Sequence, residues 1–357
     1  MRHQLIASLR TLAIAGAVAA FVPFGVAGQT QSSEPSARTP WGDPDLQGAW
    51  NNATTTPLER PVDLEDKEFL TDEEVSERDV RVAFERSTDR RDEEAPALGP
   101  SAPRGGRGTI ADVERAYNEF WWERGATIAN NRTSIIVDPP SGRLPAMTAA
   151  GQDRLESRVA AARERGPSDS YDDRRLGERC IIYRGVPPIP TGYNNNYLIV
   201  QNPTFVAILQ EHIHDVRIIP LDGRPAVAPN VRQWLGTSRG RWEGDTLVVE
   251  TTNFNDRALL RGLSGPPSES LRVVERFTRV AGDTVDYQFT VHDPETWTES
   301  WSGSLPMTKI DGALYEYACH EGNYGMSNLL AGARAEEQAD GETNTSRSVA
   351  ASATAQR

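Results

Sequence analysis

The chain has 357 residues, 38% of them hydrophobic, with a formal net charge of -13. This length provides one sizeable core. The acidic balance, without a basic patch, argues against a nucleic-acid partner, because phosphate neutralisation supplies most of that affinity.

Residues 1–28 have the pattern of a secretory signal peptide. Arg2 and Arg10 form a basic end, residues 11–26 are an apolar run, and small residues follow at the cleavage point. The run is short for a membrane span, and no comparable run occurs later. Removal of the two arginines takes the charge from -13 to about -15. We expect a mature protein that is periplasmic or secreted, without a membrane span.

The next part of the chain predicts helices. Thr71 with Glu74 forms a capping box for a helix that ends near Arg86. Further helices are predicted at 110–124 and 149–165. The predicted boundaries are 1–28 signal peptide, 29–60 polar segment with a first strand, 61–175 helical and loop region packed on the barrel, 176–331 antiparallel β domain, and 332–357 disordered tail, since its composition lacks periodicity.

From residue 179 onward β patterns dominate. Tight turns, such as those around Gly244 and Gly282, join successive strands. The fold class is therefore mainly β, an antiparallel meander that closes into a lipocalin-like barrel or a curled sandwich, with a few N-terminal helices packed on it. The predicted strands are 46–50, 197–201, 204–220, 240–242, 246–252, 271–280, 284–293, 298–306 and 314–319.

The segment 204–220 contains two closely spaced histidines. If it is one strand, His212 and His214 lie on the same face. Two imidazoles so placed can hold one metal ion or bracket one substrate. The alternative is a hydrogen-bonded wall histidine and a solvated one. The flanking β-branched residues favour burial, and buried polar groups must be paired or used.

Several known motifs fail in context. Gly236 to Gly240 matches G-x-S-x-G, but a hairpin follows where the nucleophile Ser238 would need a helix. The G-x-G-x-x-A match at 106–111 lacks a preceding strand, so we expect no nucleotide cofactor. The pair His212 and His214 is similar to the metal motif of double-stranded β-helix proteins, but the expected glutamate is absent. No zinc-peptidase motif is present.

The candidate catalytic residues are His214, His320, Glu321, Asp215 and Arg217. A histidine oriented by a carboxylate moves protons near neutral pH, so His214 and His320 are assigned as general base and acid. Asp215 lies on the opposite strand face from His214, which makes Glu321 the better orienting partner. Arg217 has an alternative, structural role as an ion-pair partner of Asp215.

The candidate ligand-binding residues combine hydrogen-bonding groups with flat aromatic faces. Such groups suit a small polyhydroxylated or phenolic ligand. In a metal-dependent variant, one divalent ion is held by His212, His214 and His320. The proposed binding set is Tyr193, Asn195, Tyr197, Trp234, Asn323 and Tyr324.

Cys180 and Cys319 are the two cysteines of the chain. In an oxidising compartment two cysteines more often pair than stay free, so we predict a disulfide. The alternative is a nucleophilic Cys319 activated by His320, but neighbours in a strand point to opposite faces.

Long motifs then define a resemblance: PDLQGAW, NRTSIIVDPPSGRLP, HIHDVRIIPLDGRP, GRWEGDTLVVETTNF and YEYACHEGNYGM. The chain resembles a large group of exported bacterial proteins of unassigned function over about residues 40–337. The resemblance implies a shared fold and supports export; it assigns no role to any residue.

Two functional hypotheses remain. The first is an exported lyase, hydratase or hydrolase that acts by His/carboxylate acid-base chemistry without an organic cofactor. The second is a periplasmic, lipocalin-like protein that binds a small molecule without catalysis. Polar density in the β segments favours the enzyme, since a carrier of apolar ligands would not need such costly groups.

Overall fold

The structure is a computed structural model that describes residues 37–86, 125, 127–166, 168–255 and 267–354. These residues belong to one compact unit, Pro35–Arg357. The predicted signal peptide and the predicted helix at 110–124 lie outside the described residues. Within the described ranges, no helix has the length and apolarity needed to cross a bilayer.

The described residues form a nearly closed antiparallel barrel of nine strands, with strand order β5-β4-β3-β1-β10-β9-β8-β7-β6 and a short β2 paired to β10. The predicted mainly-β barrel with a few helices is confirmed. The strands are β1 (Gly48–Asn51), β2 (Ile136–Asp138), β3 (Asn196–Gln201), β4 (Phe205–Gln210), β5 (Val216–Pro220), β6 (Thr237–Glu243), β7 (Thr246–Thr252), β8 (Arg272–Ala281), β9 (Thr284–His292) and β10 (Trp301–Lys309).

The barrel closes where β5 approaches β6. A Cβ added to Gly240 on β6 would lie 2.7 Å from Ile219 Cγ2 on β5 and 2.8 Å from Leu221 Cδ2. A larger residue here would force these two side chains to shift, so glycine permits the two terminal strands of the sheet to pack closely.

The interior follows from strict alternation along the strands. In β9 the inward side chains Val285, Tyr287, Phe289 and Val291 are fully buried. A Cβ added to Gly303 on β10 would lie 2.3 Å from the Phe289 ring, its cross-strand neighbour. Large aromatic side chains thus fill the barrel, as expected when a small barrel holds a packed core.

A charged pair crosses this apolar interior. Arg217 on β5 donates two hydrogen bonds to Glu275 on β8, at 2.6 and 3.0 Å. Tyr287 Oη donates to the same carboxylate at 3.0 Å. Glu275 is fully buried and Arg217 nearly so. Glu275, and not the predicted Asp215, is therefore the ion-pair partner of Arg217.

Three helices are described: α1 (Asp72–Arg86), α2 (Ala149–Glu164) and α3 (Tyr324–Thr354). The predicted capping box is confirmed, since Thr71 N donates to Glu74 at 2.8 Å and Glu74 N donates to Thr71 Oγ1 at 3.3 Å. Residues from 332 onward, predicted as a disordered tail, continue α3 to Thr354. Arg334 anchors this helix by donating to two backbone carbonyls, Ser168 O and Asp169 O.

Two strand predictions are also corrected. The segment 204–220 is two strands, β4 and β5, separated by a short 3-10 turn, His212–His214. The segment 314–319 has no strand, because it lies across the turn between β4 and β5 instead of joining the sheet. The other predicted strands correspond to strands of the barrel with shifts of a few residues.

Breaking the buried pair should be costly. We expect Glu275→Leu to lower the free energy of unfolding by about 3–5 kcal/mol, because it leaves the Arg217 charge buried and uncompensated. The triple variant Arg217→Met/Glu275→Leu/Tyr287→Phe should recover much of that loss, since no polar group stays unmatched. Urea denaturation measures both. A triple variant as unstable as the single one would contradict this account. Glu243→Gln, which breaks an exposed ion pair, is the control and should change the free energy of unfolding little.

Candidate functional site

The site is built around the turn between β4 and β5. Ile213 and His214 have positive φ angles, 63° and 56°, which is rare for residues other than glycine and especially for a β-branched one. The turn ends the strand alternation, so His212 is buried while His214 is half-buried. The two histidines therefore do not share one strand face, which corrects the prediction from the sequence.

His212 is enclosed by tyrosines. Its ring stacks on Tyr183 with a centroid separation of 3.8 Å and an interplanar angle of 10°. Tyr193 lies 5.4 Å away and Tyr317 4.7 Å away. Of the predicted ligand-binding residues, Tyr193 is thus placed beside a histidine, in a cluster of aromatic rings with polar tips.

Residues 315–323, which we call the strap, lie over this turn. Tyr317 N donates to His214 Nε2 at 3.0 Å, so that nitrogen is an acceptor and the neutral ring carries its proton on Nδ1. The predicted disulfide is confirmed, since Cys180 and Cys319 are bonded with their Cα atoms 5.8 Å apart. Asn323 Nδ2 donates to Glu178 O at 2.8 Å. The strap is therefore held at three points, Tyr317, Cys319 and Asn323.

Asp215 has an unusual environment. Its backbone oxygen accepts from Gln210 N at 2.8 Å, closing the turn. Its carboxyl atom Oδ2 is buried and has no hydrogen-bond partner among the described residues. Burial raises the pKa of Asp215 to about 7, because desolvation penalises the charged form. This carboxyl can therefore exist in either protonation state at neutral pH.

A second polar group lies inside the same end of the barrel. Arg184 donates to Tyr197 Oη and to Asn195 Oδ1, each at 2.8 Å, and to Tyr193 O at 2.9 Å. Arg184, Asn195 and Tyr197 are all buried. Arg184, which no sequence pattern indicated, thus brings together two predicted ligand-binding residues.

Other predicted site residues lie apart. His320 and Glu321 are exposed on the strap, and no hydrogen bond or ion pair of the described residues joins their side chains to His214. Tyr324 is exposed at the start of α3, and Trp234 is half-buried before β6. The strap therefore contacts His214 through the backbone N–H of Tyr317 and not through the side chain of His320 or Glu321. The alternative of a nucleophilic Cys319 is excluded by its disulfide.

The residue set suggested for a metal ion does not assemble. Across the described ranges, no group of three or more His, Cys, Asp and Glu side chains is arranged to hold a metal. His212 is packed among tyrosine rings and His320 is exposed. The structure therefore does not bring His212, His214 and His320 together as one described metal-ligating group.

The sequence patterns also did not identify Glu275 and Tyr317 as important residues, for different reasons. Glu275 stands between Val273 and Phe277, two residues apart on each side, so the period-2 pattern already placed a carboxylate on the inner face of β8. Tyr317 contacts the site through the strap, whose position depends on a disulfide between distant cysteines, and the local pattern carries no such signal.

Comparisons of the chain with protein-family models, with curated proteins and with solved structures gave no match.

The stability of the protein should report the raised pKa of Asp215. A carboxyl whose folded-state pKa exceeds its unfolded value binds more protons when folded, so stability falls as pH rises from about 4 to about 7 and is then level. We expect Asp215→Asn to be more stable than wild type above pH 7 by about 1–2 kcal/mol, after allowance for solvent screening. Denaturation at pH 4.5, 6 and 8 measures this; an unchanged pH slope in Asp215→Asn would contradict it.

The strap should depend on its disulfide. The bridge spans 139 residues, and loss of such a cross-link costs about 2–5 kcal/mol of unfolding free energy. We expect this loss in Cys180→Ser/Cys319→Ser, with faster hydrogen exchange at the Tyr317 amide than in wild type. Amides in β8 and β9 provide the internal control. Unchanged exchange at Tyr317 would mean that other contacts hold the strap.

Proposed function

We propose that this chain is an exported enzyme that acts on a small polyhydroxylated or phenolic substrate by general acid-base chemistry. Asp215 transfers the proton, and neutral His214, next to it in the turn, is the second polar group of the site. The reaction class is a lyase, hydratase or hydrolase. The cysteine pair and the resemblance to exported bacterial proteins support export.

The environment of Asp215 carries the proposal. A general acid or base works best when its pKa lies near the working pH, and burial raises the pKa of this carboxyl to about 7. The buried carboxyl oxygen Oδ2 accepts no hydrogen bond from the described residues, so its hydrogen-bonding capacity is unused there. Perturbed carboxyls of this kind concentrate at functional sites.

The turn itself supports the same interpretation. Two successive residues other than glycine, Ile213 and His214, adopt positive φ angles, and such strain persists where surrounding structure holds it, often at active sites. The strap contacts the turn through one hydrogen bond, which Tyr317 N–H donates to His214 Nε2. His214 Nδ1 is then the ring atom left to donate a proton or hydrogen bond to a ligand.

A carrier function of the lipocalin type has less support. Such a protein holds its ligand inside the barrel, whereas here Trp50, Tyr287, Phe289 and Trp301 are fully buried there. The ion pair between Arg217 and Glu275 also crosses the interior. The polar end of the barrel, at the turn between β4 and β5, is the better candidate for ligand contact.

The experiment is a product screen with the mature protein. Glycosides, polyhydroxy acids and phenolic compounds are incubated with wild type, and elimination, hydration and hydrolysis products are detected by mass spectrometry. We expect Asp215→Asn to lower kcat by about 100-fold or more. The wild-type rate should change with an apparent pKa near 7, where Asp215 titrates.

Asp222→Asn is the matched control, because hydrogen bonds from Arg224 lower the pKa of Asp222 to about 2 and it lies just beyond β5. Its turnover should equal that of wild type. Equal turnover in Asp215→Asn would overturn the assigned role, and no turnover of any compound by wild type would overturn the substrate class.

A further inference from the structure

The outer face of β3, β4 and β5 is apolar. The side chains that alternate with it point into the barrel and are buried. None of the outward side chains of β4 and β5 is polar. The strand registers place six outward side chains, which we call the apolar face, in two rows across the three strands: Leu198, Leu209 and Val216 in one, and Val200, Ala207 and Ile218 in the next.

This face departs from the usual pattern of an exposed sheet. Antiparallel strands that face water on one side carry polar side chains there, as β8 does: its Arg272 and Arg276 form exposed ion pairs with Glu250 and Glu243. Residues 205–209, FVAIL, instead have the continuous apolar run of a strand that is covered on both sides. We therefore expect the apolar face to have a cover.

Three of the six side chains are about half exposed. The exposed fractions of Val200, Val216 and Ile218 are 46%, 51% and 54%, and the other three members are partly exposed. Together the six present on the order of 400 Å² of surface, in the range of the largest apolar patch on a typical monomer, which is often functional.

The chemistry of the face restricts the partner. Its six side chains offer no charge and no hydrogen-bonding group, so a polar partner would lose hydration without compensation. Stable attachment to a lipid surface adds basic residues and interfacial Trp or Tyr to an apolar face; the six include none of these, and the chain has a net charge of -13. A second apolar sheet face is the suitable partner, because two such faces interdigitate at a separation of about 10 Å.

We propose that the apolar face joins two copies of this chain, packed sheet on sheet about a twofold axis. A second copy presents the same apolar side chains, as the two partners of an isologous contact must, and it brings no charge into the contact between the faces. Two faces together bury on the order of 800 Å², which is less than the roughly 1,200 Å² of the smallest standard interfaces. The dimer therefore forms in the micromolar range and dissociates on dilution. This inference goes beyond the proposed function and does not depend on it.

Sedimentation equilibrium of the full-length mature protein, from submicromolar to submillimolar concentration, tests the proposal. We expect monomer at the lower end of this range and dimer at the upper end. Association should strengthen as salt is raised, since salt screens the repulsion between two acidic copies and leaves the apolar contact intact. A monomer over the whole range, or a dimer that salt weakens, would overturn the proposal.

Ile218→Asp is the decisive variant, because it places a carboxylate within the contact in both copies. The dissociation constant should rise by about 100-fold or more. At concentrations where both proteins are monomeric, its melting temperature should equal that of wild type, because Ile218 is about half exposed in one copy. An unchanged dissociation constant would contradict the proposed interface. Ile218→Ser, which shortens the side chain without adding a charge, should raise the constant about tenfold and replaces the charged variant if that one does not fold.

Val280→Asp is the matched control. Val280 is also an exposed β-branched residue of a barrel strand, 60% exposed near the end of β8. Its substitution adds the same charge on a strand that does not contribute to the apolar face. The dissociation constant of this variant should equal that of wild type. A rise equal to that in Ile218→Asp would mean that added charge alone separates the copies, and the proposal would be wrong.

The same proteins distinguish two other covers of the face. Wild-type monomer that binds vesicles of phosphatidylethanolamine and phosphatidylglycerol, with binding lost in Ile218→Asp, would assign the face to a lipid surface and overturn the dimer. A wild type that stays monomeric, with a large drop in the melting temperature of Ile218→Asp, would assign the face to another part of the same chain and would also overturn it.

Discussion

The pair formed by Arg217 and Glu275 is the constraint on which the barrel depends. It joins β5, at one end of the strand order, to β8, across an interior otherwise filled by aromatic and aliphatic side chains. Charges in such a place are tolerated only with good geometry, and Tyr287 satisfies a further lone pair of Glu275. Removal of one partner is therefore far more costly than replacement of the group.

At the polar end of the barrel, the backbone and the disulfide act together. The turn between β4 and β5 places His212 among three tyrosines, and Asp215 O accepts from Gln210 N where the turn closes. The strap then closes over it, held by the bond between Cys180 and Cys319 and by the hydrogen bond from Tyr317 to His214. Each device is local, but together they bury a carboxyl whose pKa is raised by desolvation in a turn that a distant part of the chain covers.

The sequence predicted the elements whose signals are local. The capping box of Thr71 and Glu74 and the hairpin turns at Gly244 and Gly282 all have short-range physical causes, and each is present. The division of 204–220 was not predictable in this way. Its turn contains no glycine or proline, and a β-branched residue, Ile213, takes the positive φ. Tertiary contacts override local preference there, and the register of β5 shifts, so that Arg217 faces inward and Val216 outward.

The candidate site was predicted only in part for the same reason. The disulfide followed from counting cysteines, and Tyr193, Asn195 and Tyr197 do lie near one another. Arg184, which hydrogen-bonds to these residues, has no sequence pattern that distinguishes it from other arginines of the chain.

The position of β1 has a separate consequence: it pairs with β3 on one side and β10 on the other. Among the described strands, β1 is made first and β10 last, so β1 cannot complete its hydrogen bonding, and the barrel cannot close, until β10 has been made. Such long-range pairing slows folding, and a polypeptide released early from the ribosome would expose both edges of that gap.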